Sequence, residues 1–295
     1  MSLQGDQWVG PIWDSHIHLD RNGRCIDAAQ DFERSGGTHM CLVHKPAFPN
    51  RLPENIHSVD DAYRETLRIA ELIRGECNLD VRVILGPHPV VWEKQIHTLG
   101  LEDACELHLA SVELALEYCA EGKAVGIGEV GRPHYPVEQE IMKAADLQLT
   151  EIMRMAAKEN VPIQLHVDDN GAQTNMELAL LCDRAGLSRE RAIHHYAQAD
   201  VSADFTHGLS ASVSMGKESV QKIVETCFSS NSTWTMETDY MDDLSRPGAV
   251  LGPKTIPKRT HALVHALLQH VEPHSVEELL LNIHQFWPNS LYGNF

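Results

Sequence analysis

The chain lacks several features that would each commit it to a class. No apolar run approaches the roughly 20 residues that span a bilayer, so a membrane-spanning helix is not expected. Residues 1–10 have neither the basic start nor the apolar stretch of a secretory leader. There is no CxxC pair. The seven cysteines, Cys25, Cys41, Cys77, Cys105, Cys119, Cys182 and Cys227, are odd in number and irregular in spacing. That argues against a disulfide framework and predicts a reduced, cytoplasmic chain with mostly buried thiols. Several lie in apolar stretches, as Cys41 does in MCLV, where a thiol behaves as a small hydrophobe.

Positive charge is also scarce. Lys and Arg total 24 against 42 Asp and Glu, a net charge of −18. A stable complex with long nucleic acid needs Lys and Arg to displace counterions, so none is expected. A local pocket can still hold one phosphate. There is no internal repeat, low-complexity tract or long linker. No GxGxxG follows the first candidate strand, which argues against a dinucleotide-binding open sheet.

What is present is a βαβα rhythm. At 295 residues and 43% hydrophobic content, the chain suits one large α/β barrel or two smaller domains. Short apolar runs at 10–17, 38–44, 80–86, 123–128, 161–167, 191–195, 208–213 and 233–238 read as eight strands. Longer stretches with apolar positions three and four apart separate them, most clearly at 102–121 and 138–160. Asn160, before Val161–Pro162, is placed to stop a helix. Eight such units over this length predict a TIM-type (β/α)₈ barrel, regular or distorted, with residues 1–295 forming one domain. An open doubly wound sheet is the structural rival.

Barrel enzymes place their sites at the C-terminal ends of the strands. Eighteen histidines are too many to be informative by number. His261, His265 and His270, for example, read as helix or surface residues. Position is the better guide. The first strand closes with Asp14-Ser15-His16-Ile17-His18, and side chains alternate across a strand. His16 and His18 therefore face one way and can chelate one metal, with Asp14 on the same face able to orient a histidine. An ordinary polar strand end would read the same, so this motif alone leaves the choice even. Glu129 follows an apolar strand between glycines and can bridge two cations; the alternative is a loop acid capping the next helix.

His166 closes the fifth strand. By itself such a histidine is more often a satisfied core residue than a ligand. Asp168 and Asp169 follow it and can serve the site or cap the next helix. His194 and His195 close the sixth strand, and because neighbours face opposite sides only one of them is expected to be a ligand. Asp239 closes the eighth strand and can bind metal and take a proton from water, or simply cap a helix. Together, these strand ends carry enough ligands for two adjacent divalent cations such as Zn²⁺, Mn²⁺ or Mg²⁺.

The order HxH, Glu, His, His, Asp resembles the amidohydrolase superfamily, and within it the TatD-related metal-dependent hydrolases. The run GEVG, which holds Glu129, is similar to that family's GEIG, whereas the phosphotriesterase-like branch typically has a carboxylated lysine there. Gly86-Pro87-His88-Pro89 is similar to the family's GxHP and implies a substrate contact for His88. Val213–Lys217 (VSMGK) resembles the PGK-like loop of an archaeal-type subgroup, and Phe286–Gly293 (FWPNSLYG) the closing NPxxLFG. The HCFSG expected after strand six is replaced by His194-His195-Tyr196-Ala197, and GEIGLD ends here as GEVGRP. By the subgroup pattern His195 is the ligand; by the TatD pattern it is His194.

The resemblance implies one cation held by His16, His18, Glu129 and Asp239. A second would be held by Glu129, His166 and either His195 or His194. Asp239 would be the general base, working with Glu129. Lys217, Arg132 and Arg246 are candidates for phosphate contact, although each is more often a solvated surface charge. The implied reaction is phosphodiester hydrolysis on a small or short nucleic-acid substrate. A small-molecule amidohydrolase acting on an amide, lactone or ester is the alternative. A closed, non-catalytic metal site ranks third.

Overall fold

In the computed structural model, residues 1–46, 52–247 and 250–294 are described. Eight parallel strands alternate with helices. They are β1 (Trp13–His18), β2 (His39–Val43), β3 (Asp80–Leu85), β4 (Gly126–Gly131), β5 (Ile163–His166), β6 (Ala192–Ala197), β7 (Ser210–Ser214) and β8 (Trp234–Glu237). Each pairs with its sequence neighbour in parallel. The short segment Tyr240–Met241 continues β8 past a two-residue break and pairs with Ile17 and His18 of β1. The last strand thus leaves β7 and crosses to β1, which closes a (β/α)₈ barrel, as the alternating pattern predicts.

The strands form where they do because both of their faces are buried. The runs HMCLV and DVRVIL are rich in the branched side chains that suit a strand covered on both sides. Helices between them start and stop on local signals. Asn55 caps Ile56–Glu76 by accepting the Ser58 N–H, and the Ser58 hydroxyl lies near the Asn55 N–H in return. Gln139–Glu159 ends where Asn160 turns left-handed at φ 53°.

The barrel's lower end is filled by Trp13, Cys41, Val43, Ile84 and Ile193, closed from below by Leu291 and Tyr292 of the helix Trp287–Tyr292. The Gln164 amide, at the centre, donates to Ser15 O and Tyr292 Oη, both at 3.0 Å. With the bottom packed, only the upper end is left for chemistry. Among the described residues, no helix is long and apolar enough to cross a membrane.

Candidate metal centre

Regular pairing breaks at the strand positions that carry the candidate ligands. The register shifts between Asp14 and Ile17 in β1, between Ile127 and Val130 in β4, and between His194 and Ala197 in β6. In β8 the break falls at Thr238–Asp239, where Asp239 adopts φ 50°. Such irregularities re-aim side chains next to functional sites. Here they turn imidazoles and carboxylates from four strands into the barrel mouth.

At that mouth His16 Nε2 and His18 Nε2 stand 3.0 Å apart. Asp239 Oδ1 lies 3.9 and 3.7 Å from them, and the Glu129 carboxylate 3.7 and 3.6 Å. Glu129 also meets a second set, and does so through Oε1, the oxygen that faces His16. That oxygen is 3.2 Å from His166 Nδ1 and 3.0 Å from His195 Nε2. Glu129 is therefore shared by two groups of donors. In tetrahedral coordination at about 2.1 Å, neighbouring donor atoms lie roughly 3.4 Å apart. The spacings here bracket that value, and the donor types suit a divalent cation.

The electrostatics fit the same purpose. Burial alone would raise the Glu129 carboxyl, but His88 and His195 beside it hold it well below the usual carboxylate range. Burial likewise opposes charge on His195, yet Glu237 and Glu129 on its two nitrogens push its pKa well up. Burial drives His16 well below the ordinary imidazole value, and lowers His18 as well. Burial holds Asp239 well above its usual range. These are crowded donors that a cation would relieve of protons and of mutual repulsion.

The two histidines that end β6 meet different partners. His195 stacks on His16 with ring centroids 3.8 Å apart and meets Glu129. His194 points away and bonds through Nδ1 to Asn175 Oδ1 at 2.6 Å. Neighbouring strand residues face opposite sides, so His195 turns to Glu129 while His194 turns to Asn175. Asp14 also departs from expectation. Strict alternation fails at the β1 irregularity, and Asp14 accepts from the Thr238 N–H at 3.0 Å and the Thr238 hydroxyl at 2.7 Å. It ties β1 to the end of β8 and touches a histidine only at the backbone, accepting the His16 N–H at 3.3 Å, and burial pushes its carboxyl up to about 7.

The three proposed phosphate cations fare differently from one another. Arg132 is buried, and its guanidinium is engaged by Asp168 at 2.5 Å, Glu177 at 2.9 Å and Asp146 at 3.3 Å. Three carboxylates make it a clamp within the fold. Arg246 pairs with Asp243 at 3.0 Å on the surface. Lys217 lies on the wall of a cavity of about 820 Å³ with Tyr196, Gln198 and Lys222. His88 caps the helix Pro89–Leu99 by accepting the Val90 N–H through Nδ1, and turns Nε2 to within 3.4 Å of Glu129.

Sequence reasoning missed four side chains. Glu237 sits 3.0 Å from His195 Nδ1 and accepts the Tyr196 N–H. His134 reaches His166 Nε2 at 2.7 Å. Asn175 holds His194. The Asp242 carboxylate is buried and accepts the backbone N–H groups of Asp20, Arg24 and Cys25, latching the end of β8 to the loop after β1. Glu237 stood in view beside Thr238 and Asp239; the other three carry no motif.

Fold and site together define a metal-dependent hydrolase: a closed barrel with HxH on its first strand, a shared glutamate on its fourth and an aspartate after its eighth. The family model described as TatD related DNase matches residues 13–286, and the chain belongs to that family. It is 29% identical over 257 residues to the uncharacterized protein MJ1127 of Methanocaldococcus jannaschii, covering 86% of this chain and 88% of that one. The structure is similar to that of YjjV, a TatD homologue from Escherichia coli K12, with a TM-score of 0.64 at 19% identity, covering 96% and 98% of the two chains. It is also similar to a variant of a PTE-like lactonase from Deinococcus radiodurans, with a TM-score of 0.61 at 16% identity, covering 96% and 95%.

Proposed function

We propose that the whole chain works as one hydrolase unit on two divalent cations, Zn²⁺, Mn²⁺ or Mg²⁺, and cleaves the phosphodiester of a small or short nucleic-acid substrate. The observation that carries this reading is Glu129, whose carboxylate lies within 3.7 Å of His16, His18, His166 and His195 at once. His16, His18, Glu129 and Asp239 would hold one cation; Glu129, His166 and His195 would hold the other. Divalent cations in such a site bring the pKa of water toward neutrality and polarise the bond to be cleaved.

The chain's own residues do the rest. Asp239 Oδ1, beside both HxH nitrogens, takes the proton of the attacking water and passes it to the leaving oxygen. Glu237, on His195 Nδ1, fixes that ring with Nε2 toward Glu129. All seven cysteines are free thiols, which supports a reducing compartment such as the cytoplasm.

A second reading, hydrolysis of a small amide, lactone or ester, is favoured by the clamp on Arg132, which takes that cation away from any phosphate. One experiment addresses both readings. Metal content per chain is measured by elemental analysis, and the loaded enzyme is assayed on bis(4-nitrophenyl) phosphate, a short oligonucleotide, and a panel of lactones, esters and amides. Two ions with phosphodiester turnover is the expected result. Turnover confined to lactones, esters or amides would replace the first reading with the second. A chain that takes up no metal would end both.

A further inference from the structure

A cavity of about 490 Å³ opens beside the metal centre, between the end of β2, the helix Ile56–Glu76 and the start of the helix Pro89–Leu99. Its size is that of a small-molecule pocket. It shares a wall with the centre, because His88 lines it and also faces Glu129 at 3.4 Å. His44, whose Nδ1 is satisfied by the Thr66 hydroxyl at 2.8 Å, lines it too. The floor is largely apolar, built from Val59, Ala62, Tyr63 and Val91. Tyr63 is fixed by edge-on packing against His44, with ring centroids 5.0 Å apart.

The charged residues described along this cavity are acidic. Among the described residues, no Lys or Arg lines it, while the exposed Glu54 and Asp61 do. An anionic group would meet the carboxylates of Glu54 and Asp61 there. An apolar ring would displace water from Val59, Tyr63 and Val91 at about 25 cal/mol for each Å² covered.

We infer that this cavity is a specificity pocket: it receives an uncharged, largely apolar group of one or two rings, attached next to the scissile bond held at the metal centre. This rests on the hydrolase reading and adds the class of substituent the enzyme selects. Two kinds of substrate carry such a group, a nucleobase beside a phosphodiester or an aryl substituent on a small ester or lactone. The pocket chemistry is common to both.

The test uses binding, so it does not depend on which bond the enzyme cleaves. Adenosine and benzyl alcohol are titrated by calorimetry or NMR into the metal-loaded wild type and into Ala62→Phe, whose added ring would fill the cavity from a half-buried helix position. At least one probe is expected to bind the wild type and to lose tenfold or more in Ala62→Phe, with the bound metal unchanged. Adenosine binding identifies the nucleobase source, and benzyl alcohol binding alone identifies the aryl source. If neither probe binds, or if both bind Ala62→Phe as well as wild type, the pocket is not a ring site.

A second measurement stands without any variant. Two substrates with the same scissile bond, one bearing a phenyl and one a methyl substituent, are compared on the wild type, in whichever class it turns over. The phenyl compound is expected to have a kcat/KM at least tenfold higher. Equal values would overturn the inference while leaving the hydrolase reading intact. Absence of turnover in every class, with ring binding retained, would sink the hydrolase reading and leave the pocket.

Discussion

On the β1–β8 side of the centre, His16 and His18 are fully buried, and the strand crossover that closes the barrel holds Asp239 against them. On the β5 side, His166 keeps 19% of its side-chain surface and leans on His134, an exposed residue of the loop after β4. The first half is built into the barrel, and its geometry follows from closing the sheet. In the second half His195 is buried too, but His166 is propped from outside, by His134 on the ring and by Arg132, whose backbone N–H donates to His166 O at 3.0 Å. The contrast teaches that a shared carboxylate need not join ligands held in the same way.

The largest effect is expected where the first half does chemistry. Asp239→Asn keeps the side-chain shape and removes the proton acceptor, so kcat should fall by roughly 10²–10⁴-fold. A variant that keeps full activity would move the base elsewhere and strip the β8 side of its distinction. Next comes occupancy. His16→Ala should lose the ion of the buried half, and His166→Ala only the ion of the propped half, each read as one ion per chain by elemental analysis. If His166→Ala loses both, the two halves form a single cooperative site and the contrast fails.

How far the sequence shows this centre depends on the range of the interaction. The HxH pair, Glu129 and Asp239 were legible because each closes an apolar run, and strand ends converge in a barrel. The eight strands were legible because burial on both faces writes itself into composition. The part played by His194 was not, since it turns on a register shift in β6 that leaves no local trace. The same cause defeats Asp14, for alternation holds only in an unbroken strand. His134, Asn175 and Asp242 act on partners 19 residues or more away in sequence and carry no spacing signal. Arg132 reads as a surface cation because its three carboxylates are spread over residues 146–177.

The clamp gives a stability prediction with a sign. Burial lifts the Asp168 carboxyl, but the Arg132 charge together with hydrogen bonds from Arg132 and Thr174 outweighs it and holds it below the usual range; hydrogen bonds from Gln173 and Arg132 do the same for Glu177. Depressed acids stabilise the fold in full above their unfolded values near pH 4, and that stability is lost as pH falls through the folded values. Arg132→Met should therefore cost about 2–3 kcal/mol near neutrality, below the range for a wholly buried pair because Asp146 and Glu177 are partly exposed. The gap to wild type, read by denaturant unfolding, should narrow below about pH 4. A pH-independent gap would make the loss one of packing and not of charge.

The smallest expected effect bears most directly on the contrast. His134 can hold His166 only by its ring, since the residue itself is exposed and adds little to the core. Fixing the Nε2 side of His166 leaves Nδ1 aimed at Glu129. Removing such an outer partner costs about 10-fold or somewhat more in metal affinity. His134→Ala should weaken one ion by that factor and leave the other, and the unfolding midpoint, unchanged. His134→Gln, which keeps a hydrogen-bonding group, should recover part of the loss. If both ions weaken equally, the support passes through Glu129 to the whole centre. If neither does, His166 is held by β5 and Arg132 alone, and the second half is as firmly built as the first.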